Sequence, residues 1–168
     1  MSAGLELREL IAWSDHERAK WREWIAADPR RMELPFQPGA RFPTLGSLFD
    51  HIFLVERRHL CRLEGGTPPD STGVRPQDWT ALFEYADLVR ADLAKYVADL
   101  DDEEARQIMT VVVQSGTQTM SRRWLVTHIV LHEVRHLAQI AYAVRASGQE
   151  PPGRHDIFYF REGSGLRA

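Results

Sequence analysis

The part of the chain that decides the fold is residues 122–146, which read RRWLVTHIVLHEVRHLAQIAYAVRA. Ser121, directly before this stretch, is a residue type that caps helices, and Ser147-Gly148, directly after it, is a typical helix end. Within the stretch, histidine recurs at every fourth position, as His128, His132 and His136. Side chains four residues apart lie on the same face of an α-helix. The stretch therefore predicts one long helix with a row of imidazoles along one face.

Three more segments have apolar residues at helical spacing. They cover about residues 5–27, 44–64 and 76–100. Asp28-Pro29 should end the first helix, because a residue before proline is pushed out of the helical region. Thr44 should cap the second helix and Gly65-Gly66 should end it. Pro76 should stand in the first turn of the third helix.

The connection before the last helix is predicted to be extended rather than helical. Residues 110–113 are β-branched and Ser115-Gly116 is a turn signal, which predicts a short hairpin or an extended connector. The acidic run at residues 99–104 should form a solvated turn, and the aromatic residues 158–160 should pack back on the body. Four helices with little strand favour an all-α fold. We predict a four-helix bundle in one domain over residues 1–168, with the short hairpin or extended connector before its last helix.

The composition excludes several classes of protein. The 168 residues include 21 Lys and Arg against 24 Asp and Glu, a formal net charge of −3, whereas nucleic-acid binders usually have a basic surplus. Cys61 is the only cysteine, so no internal disulfide can form and a reducing compartment is expected. No apolar run is long enough to cross a bilayer, and Met1 to Glu6 lack the features of a signal peptide. We therefore expect a cytoplasmic protein that binds neither nucleic acid nor membrane.

The histidine row is the strongest chemical signal. Two imidazoles one helical turn apart can hold one metal ion at about 2.0–2.1 Å from each nitrogen. The last helix offers two such pairs, His128 with His132 or His132 with His136, and the spacing alone does not choose between them. A catalytic zinc site usually has three protein ligands and a water. We therefore predict a metal site whose third ligand comes from another element.

Several residues are candidates for that third ligand. They are His16, His51, His59, His155 or a carboxylate. His51 is preferred, because it stands among apolar residues on the side of the second helix that should face the core. His16 and His59 stand in charged surroundings, which favours their exposure to solvent.

Residues 132–136, HEVRH, also match the H-E-x-x-H signature of metalloproteases, in which the glutamate is the general base. The extended form of the signature is absent, because Gln139 and Tyr142 stand where a glycine and a third histidine would be. No earlier segment has the pattern of the multi-stranded sheet that holds a peptide substrate. A metalloprotease is therefore the weaker alternative, and Glu133 is expected to face solvent and to pair with an arginine or a lysine.

Three features together resemble the DinB-like superfamily, which includes the DinB/DfsB group and is related to YfiT-like metal-dependent hydrolases. They are the apolar setting of His51, the run His132-Glu133-Val134-Arg135-His136 followed by Gln139, and the Gly148-to-Pro152 segment before an aromatic tail. The likeness covers nearly the whole chain. It implies a four-helix bundle and one divalent ion, nickel or zinc, held by His51, His132 and His136, with His128 and Gln139 beside the site.

The resemblance also implies frequent homodimers and, in some relatives, the transfer of low-molecular-weight thiols or a thiol-dependent isomerisation. An ion with an open position lowers the pKa of a bound thiol or water. We therefore expect a small-molecule substrate, a low-molecular-weight thiol as a second cofactor, and thiol S-transferase or hydrolase chemistry with no catalytic side chain assigned. The alternative is a non-catalytic metal-binding or dimerisation module of a stress response. Arg135 departs from the family pattern, since many relatives have a further histidine there.

Overall fold

The computed structural model describes residues 6–37, 39–113 and 116–160. Its long helices and one short helix are α1 (Leu7–Ala27), α2 (Leu45–Leu63), α3 (Trp79–Asp99), α4 (Asp102–Arg106) and α5 (Arg122–Ala146). The strands β1 (Ile108–Val113) and β2 (Gly116–Ser121) form an antiparallel hairpin between α4 and α5. Two short 3-10 helices cover Pro29–Glu33 and Ile157–Tyr159. The prediction of a mostly helical chain with a hairpin before the last helix is confirmed.

The helix ends follow the capping chemistry of the sequence. The Thr44 hydroxyl accepts a hydrogen bond from the Ser47 N–H at 3.3 Å, and the Ser47 hydroxyl accepts one from the Thr44 N–H at 3.0 Å. At the start of α5, the Ser121 hydroxyl accepts one from the Trp124 N–H at 3.2 Å. Gly65, just beyond α2, has a φ of 74°, a conformation that glycine adopts without strain. These caps confirm the predicted start and end of α2 and the start of α5.

Two predicted boundaries are wrong. The third long helix begins at Trp79 rather than at Pro76, because the Asp78 carboxylate accepts a hydrogen bond from the Ala81 N–H at 3.2 Å and caps the helix there. The second half of the acidic run, residues 102–104, begins the short helix α4 instead of forming a turn. Its Asp101 carboxylate accepts from the N–H groups of Glu103 and Glu104, both at 2.8 Å. A single side chain thus satisfies two of the free donors of a helix start.

Each long helix packs against two others: α1 and α2 both contact α3 and α5. The interior has two apolar clusters, one around Trp21, Phe49 and Phe83 and one around Leu60 and Leu125. Along α1 and α5 the cluster around Leu60 and Leu125 comes first and the cluster around Trp21, Phe49 and Phe83 comes second. Along α2 and α3 this order is reversed. Helices α1 and α5 are therefore parallel to each other, and α2 runs antiparallel to α5.

The segment after α5 packs differently from the prediction. Phe158 is 82% exposed, so the aromatic residues do not pack back as a group. His155 instead stacks on the buried Trp21, with ring centroids 5.3 Å apart, and Phe160 lies 5.6 Å from His16. Residues 1–5, which include the predicted start of the first helix, and Ser115 of the predicted turn lie outside the described residues. None of the described helices combines the length and hydropathy that a bilayer crossing requires.

Candidate metal centre

Helices α2 and α5 bring three of the predicted histidines together. The ring centroid of His51 lies 5.1 Å from that of His132 and 5.1 Å from that of His136. The rings of His132 and His136 are 4.4 Å apart. One ligand nitrogen from each residue lies within 4.8 Å of the other two. Of the two pairs on the last helix, the structure therefore joins His132 and His136 to a histidine of another helix.

The geometry of the three imidazoles fits a divalent ion. The Nε2 atoms of His132 and His136 lie 3.2 Å apart, close to the roughly 3.3 Å between neighbouring nitrogens of a tetrahedral zinc site. The Nδ1–H of His136 donates a hydrogen bond to Gln139 Oε1 at 2.6 Å. This bond keeps the proton of the neutral ring on Nδ1, so Nε2 carries the lone pair that a metal ion needs. Arg135 Nη2 lies 3.4 Å from the same Nε2. Gln139 therefore holds the His136 ring in the form that can bind metal.

Burial keeps these histidines neutral. It is the main cause that lowers the pKa of His51 to about 4 and the pKa of His132 to about 2, and neighbouring histidines act in the same direction. Burial also lowers the pKa of His136, although the hydrogen bond to Gln139 opposes this shift. Metal binding requires neutral imidazole. The site is therefore in its binding-competent protonation state at neutral pH.

The remaining histidines lie outside this group of three. His59 was expected to be exposed, but only 8% of it is accessible, because it follows His51 by two helical turns on the face of α2 that contacts α5. Its ring lies 5.1 Å from that of His128, which in turn lies 5.7 Å from that of His132. His16 is exposed, as expected. His155 contacts Glu17 through a 2.7 Å hydrogen bond.

The glutamate of the H-E-x-x-H run does not face solvent, contrary to the prediction. Glu133 is only 2% exposed and accepts hydrogen bonds from Ser14 Oγ at 2.6 Å, from Arg18 Nε at 2.8 Å and from Arg90. Burial alone would raise the pKa of Glu133, but Arg18 and Arg90 outweigh that effect and lower it. Both carboxylate oxygens are occupied by these donors. Glu133 is therefore not free to serve as the general base of a metalloprotease.

Glu133 belongs to a buried ion quartet that contains one residue from each long helix. Its members are Arg18, Glu56, Arg90 and Glu133. Arg18 lies 2.5 Å from Glu56, and Arg90 Nε lies 3.0 Å from the other oxygen of Glu56. The four buried charges balance one another, and Arg90 Nε also lies 3.3 Å from the half-exposed Asp15. Along α1, α2 and α5 the members of the quartet stand between the residues of the two apolar clusters. Sequence reasoning missed it, although charged residues at core positions of the helical period, such as Glu56 four residues after Ile52, were a usable signal.

Comparison with known proteins assigns the chain to a family. A family model described as the DinB family matches residues 1–162, a range that contains the three clustered histidines. No curated protein matches the chain.

Proposed function

The chain belongs to the DinB family, and from this premise we propose that it is a metal-dependent enzyme with the four-helix bundle of that family. In this proposal His51, His132 and His136 hold one divalent ion, nickel or zinc. The reaction is thiol S-transfer, with hydrolase-type chemistry at the same ion as the second reaction class. The observation that carries the proposal is the set of three neutral imidazoles, two of them buried and that of His51 half-buried, whose ligand nitrogens lie within 4.8 Å of one another.

The donor set supports an open site. Three protein ligands leave one position of a tetrahedral ion for an exogenous group, whereas closed structural sites have four protein ligands. When bound, the ion would supply Lewis-acid chemistry and lower the pKa of a thiol or water that reaches it. Imidazole ligands suit both zinc and nickel.

The residues around the ligands support thiol transfer over hydrolysis. Gln139 orients His136, and the apolar ring of Phe42 lies 4.4 Å from that of His51. Glu133 is held by Arg18 and Arg90 and does not supply a base for activating water. A thiol whose pKa is lowered loses its proton to solvent. Its sulfur then bonds to an electrophilic carbon of the substrate, and the leaving group departs with the bonding electron pair.

The proposal also covers the cellular compartment, the oligomeric state and the partners of the protein. We propose that the protein acts on a small molecule in the cytoplasm, as a homodimer, without contact to nucleic acid. The net charge of −3 and the single buried cysteine Cys61 support this setting.

Metal analysis tests the proposed ligands. We expect mass spectrometry to find about one ion per chain in protein purified without a metal-affinity tag. His51→Ala, His132→Ala and His136→Ala should lose it. His16→Ala is the matched control and should keep it, because His16 is exposed and lies outside the group of three. Gln139→Ala should weaken metal binding by roughly 10- to 100-fold. A wild-type chain that stays metal-free after reloading with zinc or nickel would contradict the proposal.

Cobalt substitution then separates an enzyme from a metal-binding module. Thiols that reach the ion should change the visible spectrum of the cobalt-loaded protein. A screen of thiols with several electrophiles should reveal turnover that His132→Ala lacks. One tightly bound ion with neither a spectral change nor turnover would favour the non-catalytic module.

A further inference from the structure

Arg135 places a guanidinium directly at the three-histidine site. It stands on α5 next to His136, and its Nη2 lies 3.4 Å from His136 Nε2. This is the same nitrogen that lies 3.2 Å from His132 Nε2. The charged end of Arg135 is therefore within reach of any molecule that occupies the open position of the ion.

A second arginine reaches the site from the loop before α2. The Cζ of Arg41 lies 5.2 Å from the ring centroid of Phe42, and the Phe42 ring lies 4.4 Å from that of His51. The two guanidiniums thus approach the site from different elements.

These two positive charges are not neutralised by the protein around them. Within residues 6–37, 39–113 and 116–160, no acidic side chain forms an ion pair with Arg41 or Arg135. The nearest carboxylate along α5, that of Glu133, is committed to Arg18 and Arg90. A divalent ion would add further positive charge at the same place. The site therefore has a positive potential that attracts an anion.

We infer that Arg135, assisted by Arg41, forms an anion-binding subsite beside the metal, and that the molecule which binds there carries a carboxylate. The inference rests on the proposed function, of which it specifies the substrate class: a small thiol, or its electrophilic partner, with an anionic group. The guanidinium matches a carboxylate through two parallel N–H donors, which gives both affinity and orientation. Arg135 is a specificity-determining residue in this scheme, and the imidazoles hold the ion.

Two thiols with the same number of carbons and different end groups test the inference. They are 3-mercaptopropionate, which ends in a carboxylate, and 3-mercapto-1-propanol, which ends in a neutral hydroxyl. Both are titrated into the cobalt-loaded protein while the visible spectrum is recorded, and gel filtration afterwards verifies that the cobalt has stayed bound. We expect wild type to bind the carboxylate thiol at least about tenfold more tightly, as a charge-assisted hydrogen bond implies.

The arginine variants assign this preference to a residue. Arg135→Gln should lose about tenfold in affinity for 3-mercaptopropionate and change little for the neutral thiol, and Arg41→Gln should show a smaller loss of the same kind. Arg123→Gln is the matched control, because Arg123 is an exposed arginine of the same helix nine residues before His132. It should keep the full preference. Circular dichroism and unchanged cobalt content verify that the variants fold.

The outcomes distinguish this inference from the function on which it rests. Equal affinity of wild type for the two thiols would overturn the anion subsite and leave the thiol-binding metal site intact. A preference that survives in Arg135→Gln and Arg41→Gln would overturn the assignment to these residues. If neither thiol changes the spectrum, thiol transfer fails as the reaction, and calorimetry with succinate decides the subsite. Binding to wild type that is lost in Arg135→Gln would support it, and no binding to wild type would overturn it.

Discussion

Adjacent residues on α5 have opposite roles because they face different helices. His132 faces α2 and joins His51, whereas Glu133, about 100° further round the helix, reaches Arg18 on α1 and Arg90 on α3. In the H-E-x-x-H signature of metalloproteases, the histidine and the glutamate belong to the same catalytic site. Their partners show that the glutamate belongs to the ion quartet of the interior and the histidine to the group of three imidazoles.

Replacing Glu133 by glutamine should destabilise the protein without emptying the metal site. The change leaves the positive charge in the buried ion quartet unbalanced, which costs about 3 kcal/mol of the free energy of unfolding. Urea denaturation measures this loss. The exposed Glu84→Gln on α3 is the control, and should change the free energy by less than about 0.5 kcal/mol. Full stability of Glu133→Gln together with loss of activity would instead restore the general-base reading.

For single residues, the sequence predicted part of the three-histidine site. The apolar setting of His51 pointed to a core-facing residue, and the resemblance selected His132 with His136. The burial of Glu133 and His59 was not predicted. The helical period identifies one buried face of a helix, but a helix that packs against two neighbours has two buried faces. Helix α5 contacts both α1 and α2, so the residues beside its histidine face are buried as well.

At the scale of single elements, α2 depends on a close backbone contact at its first turn. A Cβ on Gly46 would lie 2.4 Å from the carbonyl oxygen of Pro76 and 3.1 Å from that of Met32. Both neighbours are backbone atoms, which do not move aside as a flexible side chain does. Only glycine therefore allows α2 to start against these two loops, and the same helix carries His51.

Gly46→Ala should lower the melting temperature markedly, with a cost of about 1–3 kcal/mol from overpacking. Gly66→Ala is the matched control. Its added Cβ would meet only the Cys61 carbonyl oxygen at an ordinary 3.5 Å, so its effect should be small. Thermal denaturation of the two variants side by side makes the comparison. Similar melting temperatures for both would show that the loops can shift.

The boundaries of the elements were predictable where a capping residue stands directly before the apolar period of its helix. Thr44 and Ser121 do so, and both cap their helices as predicted. The start of α3 was missed because Pro76 and Asp78 both suit a helix start. The hydrogen bond of the Asp78 carboxylate decided between them.

For the molecule as a whole, the histidines make the stability of the metal-free protein depend on pH. The pKa values of five of them, His51, His59, His128, His132 and His136, are lowered from the model-peptide value of 6.5, with burial as the largest cause. Below pH 6.5 the unfolded chain therefore binds protons that the folded chain does not. Stability is complete above that pH and is lost as the pH falls.

Chelator-treated protein should be less stable to urea at pH 5.5 than at pH 7.5. His132, with a folded pKa of about 2, should contribute about 1 kcal/mol to the difference. His132→Asn has no proton to bind there, so the difference should shrink by that amount. Unfolding free energies at the two pH values, measured for wild type and variant, provide the check. Equal pH dependence of both proteins would contradict the burial of the neutral ring.

The arrangement of the helices could be predicted less well than their existence. Periodicity gave the long helices, but a single sequence does not state which of them are neighbours. The long loop between the first and second helices and the long connection between the third and the last permitted a topology other than a simple up-and-down bundle. The balanced charges of the buried ion quartet, contributed by α1, α2, α3 and α5, connect all four helices at one level.

The same quartet restricts how this sequence can change over evolutionary time. Loss of any one of its four charges leaves one of the remaining ions without a partner in the interior, which destabilises the protein. A lineage in which only one of the four residues has changed therefore passes through an unstable ancestor. Two simultaneous or compensating replacements, one acid and one base, keep the balance. We therefore expect descendants of this chain to alter Arg18, Glu56, Arg90 and Glu133 in pairs drawn from different helices, while the exposed arginines vary one at a time.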